Sequence, residues 1–178
     1  MNYWVISDTY GNHESLVGKS IRPKNYSDII FKQIHLNIKR DDVIIHLGDV
    51  AFKNGAEWNR DFCYLKHDAK KWLVLGNHDQ GHSYSWFLSN GWDFAAETFT
   101  LKLFGHTILF SHVPMKYDGM YTLNIHGHFH DFPPEKHEPE LVAIKNGKQI
   151  LFSLESTKYQ PVMLKTIVEK WNKDHGKR

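Results

Sequence analysis

The chain has 178 residues, a length that suits one domain, and its 41% hydrophobic content is enough to build a core. Its 22 basic and 20 acidic residues leave a net charge of +2, too small an excess for a strongly basic nucleic-acid-binding protein. No apolar run approaches the ~18 residues of a membrane span. The single cysteine, Cys63, excludes an intrachain disulfide framework. Without disulfides or a recognisable signal peptide, a cytoplasmic protein is the expectation.

The first half of the chain alternates short apolar runs with helical patterns. Apolar runs predict buried strands, and apolar residues spaced three or four apart predict helices. In chain order the predicted elements are a strand at Tyr3–Ser7, a helix at Ser27–Lys39, a strand at Val43–Leu47, a helix at Glu57–His67 and a strand at Trp72–Leu75. Ser27 is the expected N-cap of the first helix. This β-α-β-α-β order predicts parallel strands joined by helices.

The second half reads as a series of short strands followed by one helix. The predicted strands are Phe99–Leu103, Thr107–Ser111, Leu123–His126, Leu141–Lys145 and Gln149–Leu154, and the helix covers about Pro161–Lys173. Turns are expected at Phe104–His106 and Asn146–Lys148, and the proline-rich segment Asp131–Pro139 is expected to be a long loop. Two sheets with helices outside them would bury this many strands, so we predict one α/β domain over residues 1–178.

Polar side chains follow the predicted strands at the point where each strand ends. They are Asp8, Asp49, Asn77, His78 and Asp79 in the first half and His112, His128 and His130 in the second half. Because ligands bind beyond the carboxyl ends of parallel strands, we expect these side chains to lie together. Carboxylate, amide and imidazole ligands without thiolate suit manganese, iron, nickel or zinc.

This ligand set has enough members for two ions, because one aspartate can bridge them through its two oxygens. Two ions ~3.5–4 Å apart form a clamp for in-line displacement at phosphorus, and they lower the pKa of a bound water. A nearby histidine can then protonate the leaving oxygen. Gly48, Gly76 and Gly127 each precede a ligand-type residue, which predicts sharp turns and a backbone that crowds the ions.

Five blocks in this order resemble the calcineurin-like metallophosphoesterases, and the tail Leu151–Leu164 resembles the closing strand and helix start of short bacterial and phage members. The blocks are Asp8-x-Tyr10, Gly48-Asp49, Gly76-Asn77-His78-Asp79, His112 and Gly127-His128-x-His130, and they span about two-thirds of the chain. The resemblance implies a four-layer αββα sandwich with two mixed β-sheets. It also implies hydrolysis of phosphate esters, most simply phosphodiesters, by a metal-activated hydroxide, with two divalent transition-metal ions as cofactors and manganese favoured.

The resemblance assigns a role to each matching position. The first ion would be held by Asp8, Asp49 and His130. The second ion would be held by Asp49, Asn77, His112 and His128, with Asp49 bridging. His78 would act as the general acid or charge stabiliser at the phosphate, and Asp79 would orient His78.

One position departs from the family pattern, since Tyr10 stands where the family has a histidine. A phenol binds metal only after losing a proton, from a reference pKa of about 10, so we expect a weakened first site. Tyr10 could instead pack at the rim of the site. Tyr10 therefore leaves an alternative function open. The chain could be a binding or scaffold protein that has the same fold but is catalytically weakened or inactive.

Several residues near the blocks allow two readings. Asn12 and His13 could contact the substrate phosphate, or Asn12 could be a turn residue. The aromatic residues Trp86, Phe87 and Trp92 could form a base-stacking wall, although a core stripe is the favoured interpretation. A nucleotide or nucleic-acid substrate is compatible with the sequence, no membrane association is expected, and the oligomeric state is not indicated.

Overall fold

The computed structural model describes residues 1–11, 13, 16–17, 22–52, 55–66, 68–130, 139–142, 144 and 147–176. The elements are β1 (Tyr3–Ile6), α1 (Tyr26–Asn37), β2 (Val43–His46), α2 (Ala56–Leu65), β3 (Lys70–Val74), α3 (Tyr84–Ser89), β4 (Phe94–Ala96), β5 (Thr98–Leu103), β6 (His106–Ser111), β7 (Leu123–His126), α4 (Pro139–Val142), β8 (Gln149–Leu151), β9 (Val162–Met163) and α5 (Leu164–Asp174). No helix in these ranges combines the length and hydrophobicity needed to cross a bilayer.

The strands form two mixed sheets. The first has the order β4-β3-β2-β1-β9, in which β1 to β4 are parallel and β9 runs antiparallel to β1. The second has the order β5-β6-β7-β8, in which β5 is antiparallel to β6 and the other neighbours are parallel. The predicted β-α-β-α-β order of the first half and the α/β fold with two mixed sheets are both confirmed.

Both faces of the first sheet are buried, which explains why its strands read as continuous apolar runs. Adjacent residues point to opposite faces, so Ile44 contacts the helices and Ile45 contacts the second sheet. The helix side is a cluster formed with apolar residues of α1, α2 and α3. Between the sheets, residues of β1 to β3 pack against β6 and β7, and the apolar face of α5 joins this cluster.

Some predicted elements were wrong in position or type. Ser27 lies inside α1 and does not cap it, because the helix begins at Tyr26 and the preceding Asn25 makes no side-chain cap. The strand predicted at Leu141–Lys145 is wrong, since Pro139–Val142 is helical. A proline at the first helical position has its backbone angle already set for a helix. Residues 131–138, 143, 145 and 146, on which other parts of these predictions fall, lie outside the described residues.

Three elements were missed because each is short. They are α3, β4 and β9, of six, three and two residues. β9 pairs with β1 at residues that were assigned to the start of the last helix. Elements this short carry too few residues to show a periodicity.

Two buried side chains behave as structural groups. Cys63 lies in α2, and burial raises the pKa of its thiol to about 12, so the thiolate is scarce at neutral pH. His46 accepts the backbone N–H of Gly48 at Nδ1, over 3.1 Å. Its Nε2 therefore carries the proton and donates to Oγ1 of Thr9 over 3.0 Å. Burial, aided by the nearby His112, lowers the pKa of His46 to about 3.

The free energy of unfolding should fall as the pH drops below about 6.5. An unfolded chain protonates its histidines near pH 6.5, whereas folded His46 stays neutral until about pH 3. The contribution of His46 to the free energy of unfolding is therefore complete above pH 6.5. It is lost progressively between about pH 6.5 and pH 3. We expect the Tm of the metal-free protein to fall by several degrees between about pH 7 and pH 4.5.

The matched variant is His46→Asn, which keeps an acceptor for Gly48 but cannot be protonated. Its Tm should be lower at neutral pH and should depend less steeply on pH below 6.5. A residual slope is expected from His126, whose pKa burial lowers to about 4. Asp79, whose pKa is raised to about 6, acts in the opposite direction, because the folded protein takes up its proton at a higher pH than the unfolded chain does. Parallel Tm curves for the two proteins would contradict a role for His46 in acid sensitivity.

Candidate metal centre

The loops that follow β1 and β2 are joined by backbone hydrogen bonds. The N–H of Asp8 donates to the carbonyl of Gly48 over 3.0 Å, and the N–H of Tyr10 donates to the carbonyl of Asp49 over 3.1 Å. In the second sheet, the N–H of Gly127 donates to the carbonyl of His112 over 3.0 Å. The chain segments that carry the predicted ligands are therefore held at one edge of the molecule, beyond the carboxyl ends of the strands.

Four predicted ligands of the second ion converge around one point. The Nε2 atom of His112 lies 3.0 Å from Oδ1 of Asn77, 3.1 Å from Nδ1 of His128 and 3.4 Å from Oδ2 of Asp49. Ligand atoms of Asp49, His112 and His128 all lie within 4.8 Å of one another. Two imidazole nitrogens, an amide oxygen and a carboxylate facing one point form a set that fits a divalent transition metal.

His112 has its ring orientation fixed by the first sheet. Its Nδ1–H donates to the carbonyl of Leu47 over 2.7 Å, which leaves Nε2 to face the other ligands. Burial alone would lower the pKa of His112, but its hydrogen bond with Asp49 and the charges of Asp8 and Asp49 raise it to about 9. Without an ion the ring holds a proton at the place where the ligand atoms converge.

The predicted first-ion residues also lie together. Nε2 of His130 is 3.8 Å from Oδ1 of Asp8. That carboxylate oxygen is buried and has no hydrogen-bond partner among the described residues, whereas Oδ2 of Asp8 accepts from the Ser7 hydroxyl and from the N–H of His128. A buried carboxylate oxygen left unpaired is costly, and a cation would satisfy it. The residues of this chain therefore fit a metal at Asp8 as well.

Tyr10 is buried among these ligands, not at the rim, with only 6% of its surface exposed. Its hydroxyl donates a hydrogen bond to Oδ2 of Asp49. Burial and the charges of Asp49 and Asp8 hold the pKa of Tyr10 far above its usual value, so the phenol keeps its proton. The phenol thus engages an oxygen of the aspartate that was predicted to bridge the two ions.

The backbone at the centre is strained. Asp8, Tyr10, Asp49, His128 and His130 all have left-handed φ angles, between 47° and 75°. Such conformations cost ~1–3 kcal/mol each for non-glycine residues and persist where the surroundings hold them. Five such residues lie at this one site. The surrounding structure therefore holds these residues in backbone conformations that they would not adopt on their own.

The three glycines Gly48, Gly76 and Gly127 lie where a side chain would not fit, as the sequence predicted. Gly48 has a φ of 97°, which a residue with a side chain rarely adopts. Gly127 lies so close to Ser7 and Asp8 that a Cβ atom would overlap both side chains. A Cβ atom on Gly76 would overlap the Asp49 carboxylate, and one on Gly48 would overlap the Gly76 backbone and the His112 ring. Gly76 and Gly127 therefore let the backbone pass close to the two carboxylates, and Gly48 lets it pass close to His112.

His78 lies beside the converging ligands and is exposed to solvent. Its backbone N–H donates to Oδ1 of Asp49 over 2.9 Å, and its ring lies 5.4 Å from that of Tyr10 and 5.3 Å from that of Phe52. His13 is half-buried with its ring stacked 3.9 Å from that of Phe52, and burial lowers its pKa. Asn12 lies outside the described residues.

Asp79 is buried, and its carboxylate accepts three backbone hydrogen bonds. The donors are the N–H groups of Asp49 at 2.7 Å, Gly76 at 2.9 Å and Val50 at 3.1 Å. Burial and the charge of Asp49 raise the pKa of Asp79 to about 6. These contacts hold the Asp49 loop against the loop that follows β3, while orientation of His78 by Asp79 stays a prediction.

Sequence reasoning missed two charged residues behind the centre, Arg22 and Glu155. Both are buried, and Nε of Arg22 lies 2.7 Å from Oε1 of Glu155. Arg22 also donates to the carbonyls of Asp8 at 2.7 Å and Thr9 at 3.1 Å. No sequence signal distinguished them from surface residues, because Arg22 lies between Lys19 and Lys24 and Glu155 lies close to Lys158.

Glu155 reaches the site through His130, whose Nδ1 lies 3.3 Å from Oε1 of the carboxylate. Burial alone would raise the pKa of Glu155, but the hydrogen bond from His130 and the charge of Arg22 lower it to about 2. A carboxylate bound to the far nitrogen of a histidine orients the ring and makes the near nitrogen a better ligand.

A family model described as Calcineurin-like phosphoesterase matches residues 1–176. The chain belongs to this family. The five ordered blocks had therefore identified the family correctly, and as a member the protein is a metal-dependent phosphoesterase. No curated protein matches the sequence significantly.

Several solved structures resemble this family member. A protein of unknown function from Aquifex aeolicus, AQ665, is 24% identical with a TM-score of 0.73, and the alignment covers 94% of this chain and 98% of that chain. The nuclease MPE from Pseudomonas putida is 18% identical with a TM-score of 0.48, and the alignment covers 72% of this chain and 61% of that chain. The likeness to AQ665 concerns the fold.

Replacing Glu155 by glutamine should weaken metal binding at His130 by ~10- to 100-fold, the usual effect of losing a partner behind a ligand. Glutamine keeps the shape but not the negative charge that faces Nδ1 of His130 beside Arg22. The measurement is a Mn²⁺ titration of the metal-free protein followed by calorimetry, with a Tm for each variant.

The matched control is Glu169→Gln on the exposed face of α5, where Glu169 lies 3.7 Å from Lys165. It should bind Mn²⁺ as the unmodified chain does. An unchanged affinity in a folded Glu155→Gln protein would show that Glu155 does not support the metal centre.

Proposed function

We propose that this protein hydrolyses phosphodiesters in the cytoplasm, with residues 1–178 acting as one domain around two divalent transition-metal ions, of which manganese is favoured. The observation that carries the proposal is the convergence of Asp49, Asn77, His112 and His128, next to a buried Asp8 oxygen that lacks a partner. In this proposal Asp49 belongs to both groups of ligands. Its position supports the bridging role that the sequence predicted.

The ions, when bound, supply Lewis acidity and an activated water at the phosphorus. The chain's own residues perform the remaining tasks. His78 is exposed beside the ligands, and the metal-type cluster found among the described residues does not include its ring. This position suits a group that donates a proton to the leaving oxygen. Asp79 holds the backbone of Asp49 in place through two hydrogen bonds to that loop and one to Gly76.

A second candidate function is a binding or scaffold protein with little or no turnover. One observation favours it, the hydrogen bond from the Tyr10 hydroxyl to Asp49 in a place where the phenol keeps its proton. In this reading the first ion binds too weakly to complete the centre. The intact ligand set around His112 favours the phosphodiesterase.

Hydrolysis of bis(p-nitrophenyl) phosphate should require Mn²⁺ and should be abolished by Asp49→Ala. His78→Ala should lower kcat by ~10²–10⁴-fold, the usual worth of an acid–base group, and should retain bound metal. The control is His35→Ala, an exposed histidine on α1, which should turn over normally. Undiminished activity in purified Asp49→Ala would refute the proposal, and metal loss in His78→Ala would make His78 a ligand.

Replacing Tyr10 by histidine should tighten the weaker of two Mn²⁺ sites by at least the ~10-fold that an indirect partner contributes. The reason is that an imidazole offers a neutral ligand atom where the phenol offers a proton. Metal content after equilibration at rising Mn²⁺ would measure it, with Tyr10→Phe as the control that loses the hydroxyl without gaining a ligand. Equal occupancy of both sites in the unmodified chain would show that Tyr10 does not weaken the first site.

A further inference from the structure

A cavity of about 390 Å³ adjoins the metal centre on the side of His78. We call it the His78 cavity and define it by Val50, Ala56, His78, His82, Trp86 and Phe87, which line it. It lies between the loop that follows β3 and the helices α2 and α3. Its volume falls within the range of pockets that bind small molecules.

One wall of the His78 cavity is aromatic. The rings of His82 and Trp86 are stacked 3.7 Å apart at 8°, and Phe87 meets Trp86 edge-on at 5.0 Å. Phe87 is buried in the core, whereas Trp86 is half-buried and His82 is exposed. The lining also includes the small residues Ala51, Gly55 and Gly81. A flat ring would therefore find both space and an aromatic surface.

Two polar side chains that line the cavity, those of Asn59 and Asp79, are already engaged in hydrogen bonds. The Asn59 side chain accepts from Nε1 of Trp92 over 2.6 Å and donates to the carbonyl of Asn90 over 3.2 Å. The Asp79 carboxylate accepts its three backbone hydrogen bonds. A buried acid and the lack of a lysine or arginine among the described lining residues disfavour a second anion. The chemistry fits an uncharged aromatic ring.

His78 connects this cavity to the reaction. Its backbone N–H is bound to Asp49, and its side chain lies in the cavity lining. In an in-line displacement the leaving group departs opposite the attacking water, toward the group that protonates its oxygen. The group attached to the leaving oxygen must then lie on the side of His78 that faces away from the metal centre.

Building on the proposed function, we propose that the His78 cavity binds the aromatic ring carried by the leaving group of the phosphodiester. A nucleobase and a simple aryl group share this chemistry. Base stacking on an aromatic side chain is tolerant of sequence, so the site would select substrates that carry a ring over those that do not.

The test compares kcat/KM with Mn²⁺ on three diesters: bis(p-nitrophenyl) phosphate, a dithymidine phosphate, and the same dinucleotide without the base on its leaving sugar. Trp86→Ala should lower kcat/KM about 5- to 100-fold on ring-carrying substrates, the range for loss of one stacked ring. The abasic substrate should be turned over poorly by the unmodified chain and should be unaffected by the variant.

Two further variants keep the test decisive. His82→Ala changes an exposed residue and should show a smaller loss in the same direction even where Trp86→Ala folds poorly. Leu88→Ala alters an exposed side chain on the same helix that does not line the cavity, and it should behave as the unmodified chain does. A loss with only one of the two ring-carrying diesters would identify the ring as aryl or nucleobase.

The outcomes separate this inference from the function on which it rests. Normal turnover of ring-carrying diesters by both Trp86→Ala and His82→Ala would overturn the cavity assignment and leave the phosphodiesterase standing. Absence of diester turnover by the unmodified chain would overturn the proposed function and the cavity's role with it. Equal kcat/KM on the abasic and complete dinucleotides would also overturn the cavity's role.

Discussion

The structure depends on how two buried carboxylates, those of Asp8 and Asp49, are neutralised. Each is almost inaccessible to solvent and each lies on a loop with a left-handed backbone angle. A buried charge without partners is too costly to persist. The surrounding loops are arranged to supply donors or cations to these two groups, and this requirement accounts for most of the polar contacts at the carboxyl edge of the first sheet.

The neutralisation is incomplete without an ion. Asp49 receives hydrogen bonds from the Tyr10 hydroxyl and from the backbone of His78, and it lies next to His112, whose pKa it raises. Asp8 keeps one buried oxygen without a hydrogen-bond partner in the described part of the chain. Arg22 does not bind either carboxylate but binds the backbone carbonyl of Asp8. A cation would therefore neutralise the carboxylate charge that the chain's own hydrogen-bond donors leave unpaired.

Tyr10 changes the balance between the two groups of ligands. A histidine at this position would bring a lone pair, whereas the phenol brings a proton that it keeps. The proton satisfies part of the hydrogen-bonding capacity of Asp49. In the proposed centre it would compete with an ion held by that carboxylate. At the ligands around His112, the competing proton is the one on His112 itself. The two proposed ion sites are therefore expected to differ in metal affinity.

The sequence by itself determined the family, the alternation of strands and helices in the first half, and the residues that meet at the centre. These features are local, because apolar runs, helical spacing and short polar blocks at strand ends can be recognised without knowing how the helices and strands pack against one another. It did not determine that Pro139–Val142 is a helix, that β9 pairs with β1, or that Ser27 lies inside α1. Short elements and their ends are decided by pairing and packing with distant segments.

The tertiary structure alone decided which residues stand behind the ligands and what lies next to them. Arg22 and Glu155 are 133 positions apart, and only folding makes them a pair that orients His130. The location of Tyr10 likewise depended on tertiary structure, because its hydroxyl reaches Asp49 across 39 positions. The sequence gives the chemical type of each side chain. Burial and the distances between charges are defined only once the chain has folded, and these two quantities determine how the side chains react and bind.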